Sequence, residues 1–188
     1  MDKANPFGLY IYHKENGQKL VLKELLQLLR TTSPKKCASF AYIEGQTSLI
    51  PHLSLWENVQ IQTSGQNWKE IMQSLPADIL PLAKILRDPD KKGEEAEPWE
   101  KFTVSLIKGL LNASPNLLVD IDENLLPPLL LQNFKKILLT ASTNKQIYLA
   151  SGNTSLWLDS AHSLVSRKGY EFVIESFDQE QIKLHWAS

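Results

Sequence analysis

Short runs of β-forming residues and longer stretches with helical apolar spacing follow one another along this chain. Phe7-Gly8-Leu9-Tyr10-Ile11-Tyr12 predicts a strand, and polar His13 to Gln18 turns the chain, with Asn16-Gly17 as the turn signal. From Lys19 to Arg30, Leu22, Leu25, Leu26 and Leu29 recur at three- and four-residue spacing and predict one apolar helix face. After a loop at Thr31 to Lys36, Ala38 to Ile43 predicts a second strand. Strand, helix, strand is a βαβ unit, which favours a parallel sheet.

The middle third changes character. Asn67 to Leu75 and Ala77 to Arg87 predict short helices parted by Pro76, and Trp99 to Leu111 predicts another, with Phe102, Leu106 and Leu110 on one side. Between them Asp88 to Glu95 is charged and nearly free of apolar residues, which predicts a solvated loop. Asn116 to Ile121 is an apolar run carrying an acid near its end, as expected of a buried parallel strand. Beyond Pro127-Pro128 the pattern predicts a helix over Leu129 to Lys135, a buried strand over Lys136 to Thr140 and a short helix from Asn144 to Ala150. Ser155 to Leu158 and Tyr170 to Glu175 predict two closing strands. The expected architecture is α/β, with a helical insertion between the second and third core strands.

Composition narrows the classes of function. The chain has 188 residues, 43% hydrophobic and 22% charged, which fits a single domain with a real core. Its 20 basic and 21 acidic residues leave a formal charge of −1, so no basic excess exists to hold a nucleic acid. The lone Cys37 has no internal disulfide partner and reads as a small buried hydrophobe. No Cys/His cluster has metal spacing. His13, His52, His162 and His185 share no spacing with a nucleophile, and no GxSxG elbow occurs. The start, Met1 to Pro6, lacks the pattern of a secretion signal, and no run of about 18 apolar residues exists to span a bilayer. A cytoplasmic location without direct membrane insertion is expected.

One phrase is more specific. Ser48-Leu49-Ile50-Pro51-His52-Leu53-Ser54-Leu55-Trp56-Glu57-Asn58-Val59 resembles the segment after the Q-loop of ABC-transporter ATPase domains, where LFPHLSVLENV is common. A helix leading to the acid-ended strand Leu117 to Asp120 is similar to that family's signature helix and Walker B strand. Ile137 to Ala150 resembles its switch region. The resemblance spans about residues 7–158. It implies a P-loop-NTPase-like core with a mainly parallel sheet, at 7–50 and 114–188, and a helical subdomain at about 51–113. The antiparallel strands that usually precede the phosphate loop, with their adenine-stacking aromatic, would be truncated.

The same alignment implies that the nucleotide-binding residues are missing. With Lys19 on the family lysine, Gly17 is shifted, Gln18 replaces the last loop glycine, and Leu20 and Val21 replace the hydroxyl residues, one of them a magnesium ligand. The Q-loop glutamine falls on Gly45, with Gln46 one residue late. The signature LSGGQ falls on Ala96-Glu97-Pro98-Trp99-Glu100. Asp120 takes the metal-associated aspartate and Ile121 the catalytic glutamate, with Leu126 and Pro127 on the D-loop. A two-residue slip would instead put Asp122-Glu123 on the acidic pair. The switch histidine falls on Ala141. No catalytic, cofactor-binding or metal-binding residue is therefore expected, and a pseudo-ATPase is.

In the family, the Q-loop segment and helical insertion receive a coupling helix from a membrane subunit. The kept phrase accordingly points to a protein partner, a membrane permease-like subunit or another ABC-ATPase-like chain. Ile50, Pro51, Leu53, Leu55, Trp56 and Glu57 are the candidate partner-binding residues, Trp68 lies nearby, and the chain would sit at the inner face of the membrane through that partner. Two other readings remain open: an unconventional nucleotide-binding ATPase subunit using Lys19 and Asp122-Glu123, and a free-standing regulatory scaffold.

Overall fold

A computed structural model describes residues 8–14, 24, 39–44, 49–61, 67–168 and 171–176. The strands are β1 (Gly8–His13), β2 (Phe40–Ile43), β3 (Asn116–Asp120), β4 (Gln146–Ser151), β5 (Ser163–Lys168) and β6 (Glu171–Ser176). The helices are α1 (Leu55–Gln60), α2 (Trp68–Ser74), α3 (Leu80–Ile85), α4 (Pro98–Leu111) and α5 (Pro128–Ala141). Of the helix expected at 19–30 only Glu24 is described, and it is helical.

The six strands form one sheet in the order β2-β3-β4-β1-β5-β6. Every pairing is parallel except the β5–β6 hairpin. Gly8 to His13 pair in step with Gln146 to Ser151, and Asn116 to Asp120 with Gln146 to Ala150. The two-residue period of a strand sends Leu9, Ile11, Leu117, Val119, Ile147 and Leu149 to one face, where they share a core with Phe102, Leu106, Phe134, Leu138 and Trp157. Tyr12, Leu118, Tyr148, Ala150 and Val165 form a second cluster on the other face. Phe102 of α4 meets Phe134 of α5 edge-on at 5.5 Å, and Tyr10 stacks on Tyr148 at 5.1 Å.

The C-terminal third departs from its predicted pattern. Lys136 to Thr140 is not a strand but the last part of α5, because Phe134, Ile137, Leu138 and Ala141 lie on one buried helical stripe. The segment expected as a helix at Asn144 to Ala150 holds β4, buried along its whole length. Lys145 sets its start: Nζ donates to the carbonyls of Asn112 (2.6 Å) and Ser114 (2.8 Å), tying the α4–β3 connection to β4. Ser155 to Leu158 is likewise no strand; a 3₁₀ turn at Thr154–Leu156 delivers Trp157 into the core, and the strand comes later as β5.

The charged segment Asp88 to Glu95 is not merely a solvated loop. The Gly93 N–H donates to the Leu53 carbonyl (2.8 Å) and the Glu94 N–H to that of Pro51 (3.1 Å), and Ser54 and Lys92 form an antiparallel bridge. Gly93, within it, and Ala96, just after it, are buried. The segment is a strap tied by tertiary hydrogen bonds to the residues that lead into α1.

Candidate functional site

In a parallel sheet the crevice for chemistry lies beyond the carboxyl ends of the strands. Here β1, β3 and β4 bring Lys14, Asp120 to Glu123 and Ser151 to that edge. The Lys14 N–H donates to the Ser151 carbonyl (3.0 Å), carrying the β1–β4 pairing one residue further. Its ammonium then crosses β4 and pairs with Asp120 Oδ1, and it donates to the Ile121 carbonyl at 2.6 Å. Ile121 is itself buried.

Asp122 Oδ1 accepts from the N–H and the side-chain amide of Asn124, both at 3.2 Å, and so caps the 3₁₀ turn Glu123–Leu125. Glu123 Oε1 accepts from the Ser151 hydroxyl and from Trp157 Nε1 (3.1 Å). Ser151 Oγ also accepts the Asn153 N–H at 3.0 Å. Tyr42, on β2, feels this edge: burial, and then the charges of Asp120 and Glu44, push its phenol up to about 12. The acids of both Walker B registers thus have partners within the protein.

Ala141, expected to follow the last core strand, is instead buried at the end of α5, and the residue after β4, the strand beside β3, is Gly152. The expected phosphate-loop residues Gly17, Gln18, Lys19, Leu20 and Val21, and Gly45 and Gln46, lie outside the described residues. The expected signature station begins α4. Glu97 is its N-cap, followed by Pro98 and Trp99, and Glu100 Oε2 accepts the Glu97 N–H (2.9 Å) and the Lys91 ammonium (2.7 Å).

The candidate docking phrase forms a second constellation. Ser54 caps α1: its Oγ accepts the Glu57 N–H (3.2 Å), while Glu57 Oε2 accepts the Ser54 N–H (2.6 Å). These bonds hold the Glu57 carboxyl below the usual carboxylate range. The other first-turn donors go to the strap and the cap: Leu55 N–H to Lys91 (2.9 Å), Trp56 N–H to Pro89 (3.1 Å) and Asn58 N–H to Ser54 (3.0 Å). Asn58 is fully buried; Oδ1 takes the Ile50 N–H (2.9 Å), and Nδ2 reaches the carbonyls of Ile50 (3.2 Å) and Ser54 (2.9 Å).

The six candidate partner residues therefore divide. Leu55 is wholly buried in the core and leaves the docking set. Leu53 and Trp56 are half-buried; Trp56 Nε1 donates to Asp90 (3.0 Å), and its ring, like that of Trp68, packs against the core. Glu57 is engaged by Ser54. Ile50 and Pro51 are exposed.

A solved structure shares this fold. MJ0796, a bacterial ABC transporter cassette described as dimeric, matches with a TM-score of 0.64 at 12% identity, over 90% of this chain and 86% of that one. The fold is that of an ABC transporter cassette. No family model and no curated protein sequence matches the chain. The expected α/β, P-loop-NTPase-like core with a mainly parallel sheet is therefore present. Among the described residues, no helix is long and apolar enough to cross a membrane. Lys14 is the crevice residue that sequence reasoning missed. Its only local signal is a lysine directly after a strand, outside any glycine-rich loop.

Proposed function

We propose that this cassette-like chain is a pseudo-ATPase, a non-catalytic protein-binding or structural component of a larger assembly. The first turn of α4 carries the reading. At the equivalent helix start, the resemblance implies serine and glycine N–H groups facing a γ-phosphate. Here Pro98 has no N–H, the Glu97 N–H is already given to Glu100, and two carboxylates stand in the turn. A phosphate charge at about 4 Å from Glu97 would be repelled by about 1 kcal/mol even in bulk water, and by more near a protein surface, whereas Glu100, paired with Lys91, acts by holding the Glu97 N–H. Gly152 after β4 and Ile121 after Asp120 are in keeping with this, since neither side chain can move a proton.

The partner would be a membrane permease-like subunit or another ABC-ATPase-like chain, met through Ile50, Pro51 and the accessible edges of Leu53, Trp56 and Glu57. Such a partner would hold the protein at the inner face of the membrane. Calorimetric titration of the full chain with ATP and Mg²⁺ is the test, with no binding heat expected. Micromolar, Mg²⁺-dependent binding would overturn the reading in favour of an unconventional nucleotide site using Lys19 and Asp122-Glu123. The free-standing scaffold is favoured instead if the protein fails to co-purify with any subunit from solubilised membranes.

A further inference from the structure

We infer that Lys14 is the resident cation of the sheet's carboxyl-edge crevice, neutralising Asp120 where a cassette of this fold implies a divalent metal. The residues present do not fit that metal. Asp120 is the acid at the end of β3, and its Oδ1 is bound to the Lys14 ammonium. Among the described residues, no group of three or more His, Cys, Asp or Glu could hold an ion.

The geometry makes this more than a surface pair. β1 and β3 are separated by β4, so their backbones lie about 10 Å apart, a gap that takes a long side chain such as lysine to span. The side chains of Lys14 and Asp120 are 14% and 7% exposed, so the pair is largely withdrawn from water. A second donor goes to the Ile121 carbonyl, just beyond the last β3 residue, so the ammonium grips backbone as well as carboxylate. The Lys14 N–H is meanwhile fixed to Ser151 of β4, and the three strand ends meet on one residue. Removing one member of such a pair strands the other charge in the interior, whereas removing both does not.

Thermal unfolding of the full chain tests this in four proteins: wild type, Lys14→Met, Asp120→Asn and the double variant. Lys14→Met should melt about 5–15 °C lower than wild type. The double variant should recover at least half of that loss. Millimolar MgCl₂ should leave the wild-type Tm where NaCl of equal ionic strength leaves it. A double variant no more stable than Lys14→Met overturns the inference, since the lysine would then act through its aliphatic stem. A Mg²⁺-induced rise in wild-type Tm that Asp120→Asn abolishes overturns it too. If Lys14→Met does not fold, a folded double variant supports the inference and an unfolded one defeats it. The outcome is separable from the pseudo-ATPase reading, which the ATP titration judges on its own.

Discussion

Asn58 makes more of its surroundings than any other side chain in the cassette-like phrase. Its amide oxygen holds the Ile50 N–H and its amide nitrogen faces the carbonyls of Ile50, Leu53 and Ser54, all within the bend that enters α1. Together with the Ser54–Glu57 capping box and the buried Leu55 and Val59, it accounts physically for much of the phrase without a partner. Asn58→Ala would orphan the Ile50 N–H, while the carbonyls of Ile50, Leu53 and Ser54 keep the backbone N–H groups of Leu53, Gly93 and Asn58, and the loss should be about 1–3 kcal/mol. Urea denaturation should read this as a lower midpoint with an unchanged slope, while exposed His52→Ala should stay within about 0.5 kcal/mol of wild type. A near-neutral Asn58→Ala would mean that the bend does not depend on the amide. Residue types alone made this phrase legible as a motif but not as a clamp. The candidate site was legible only in part for the same reason: Asp120 could be read at a strand end, but its pairing with Lys14 crosses 106 residues of sequence.

The strap and α4 each carry a glycine that admits a close neighbour, with different freedom to yield. A Cβ on Gly93 would lie 2.7 Å from the Ile50 carbonyl oxygen and 3.1 Å from Leu49 Cβ, in a strap already hydrogen-bonded to Leu53. A Cβ on Gly109 would meet Ile43 Cδ1 at 2.6 Å and Leu117 Cδ1 at 2.9 Å, which are side-chain rather than backbone atoms. Alanine also favours a helix interior by about 1 kcal/mol over glycine. Gly93→Ala should therefore cost about 2–3 kcal/mol and Gly109→Ala clearly less, by chemical denaturation; the reverse order would mean that α4 seats more rigidly on β2 and β3 than the strap does on α1. At this scale β1, β2, β3 and α4 were readable from local pattern, since each is a clean run with one period. Lys136 to Thr140 was not, because a short apolar run suits a buried strand or a buried helix stripe equally, and Phe134 and Ala141, which decide it, lie outside the run. The strap escaped for another reason: its order comes from backbone bonds to Pro51 and Leu53, to which side-chain polarity is blind.

At the scale of the whole molecule, the sheet order sets the ends of β1, β3 and β4 side by side, and in each strand end a polar group is already bound within the chain: Lys14 to Asp120, Asp120 to Lys14, Ser151 to Glu123. The first turn of α4 is similarly occupied by Glu100. The dimer expected of active ABC cassettes is held by nucleotide bridging one subunit's phosphate loop to the other's signature, so it needs both stations open to phosphate. This chain should therefore not dimerise in response to ATP. Multi-angle light scattering of the full chain should give the same mass with and without Mg²⁺-ATP, whatever that mass is, because any homodimer would rest on a surface that nucleotide does not touch. A monomer converted to a dimer by ATP would require phosphate to bind against Glu97 and Glu100, and the argument from the start of α4 would fail at that point. Should the mass instead shift with ATP in Glu97→Ser/Glu100→Gln but not in wild type, the two carboxylates would be identified as the groups that close the station.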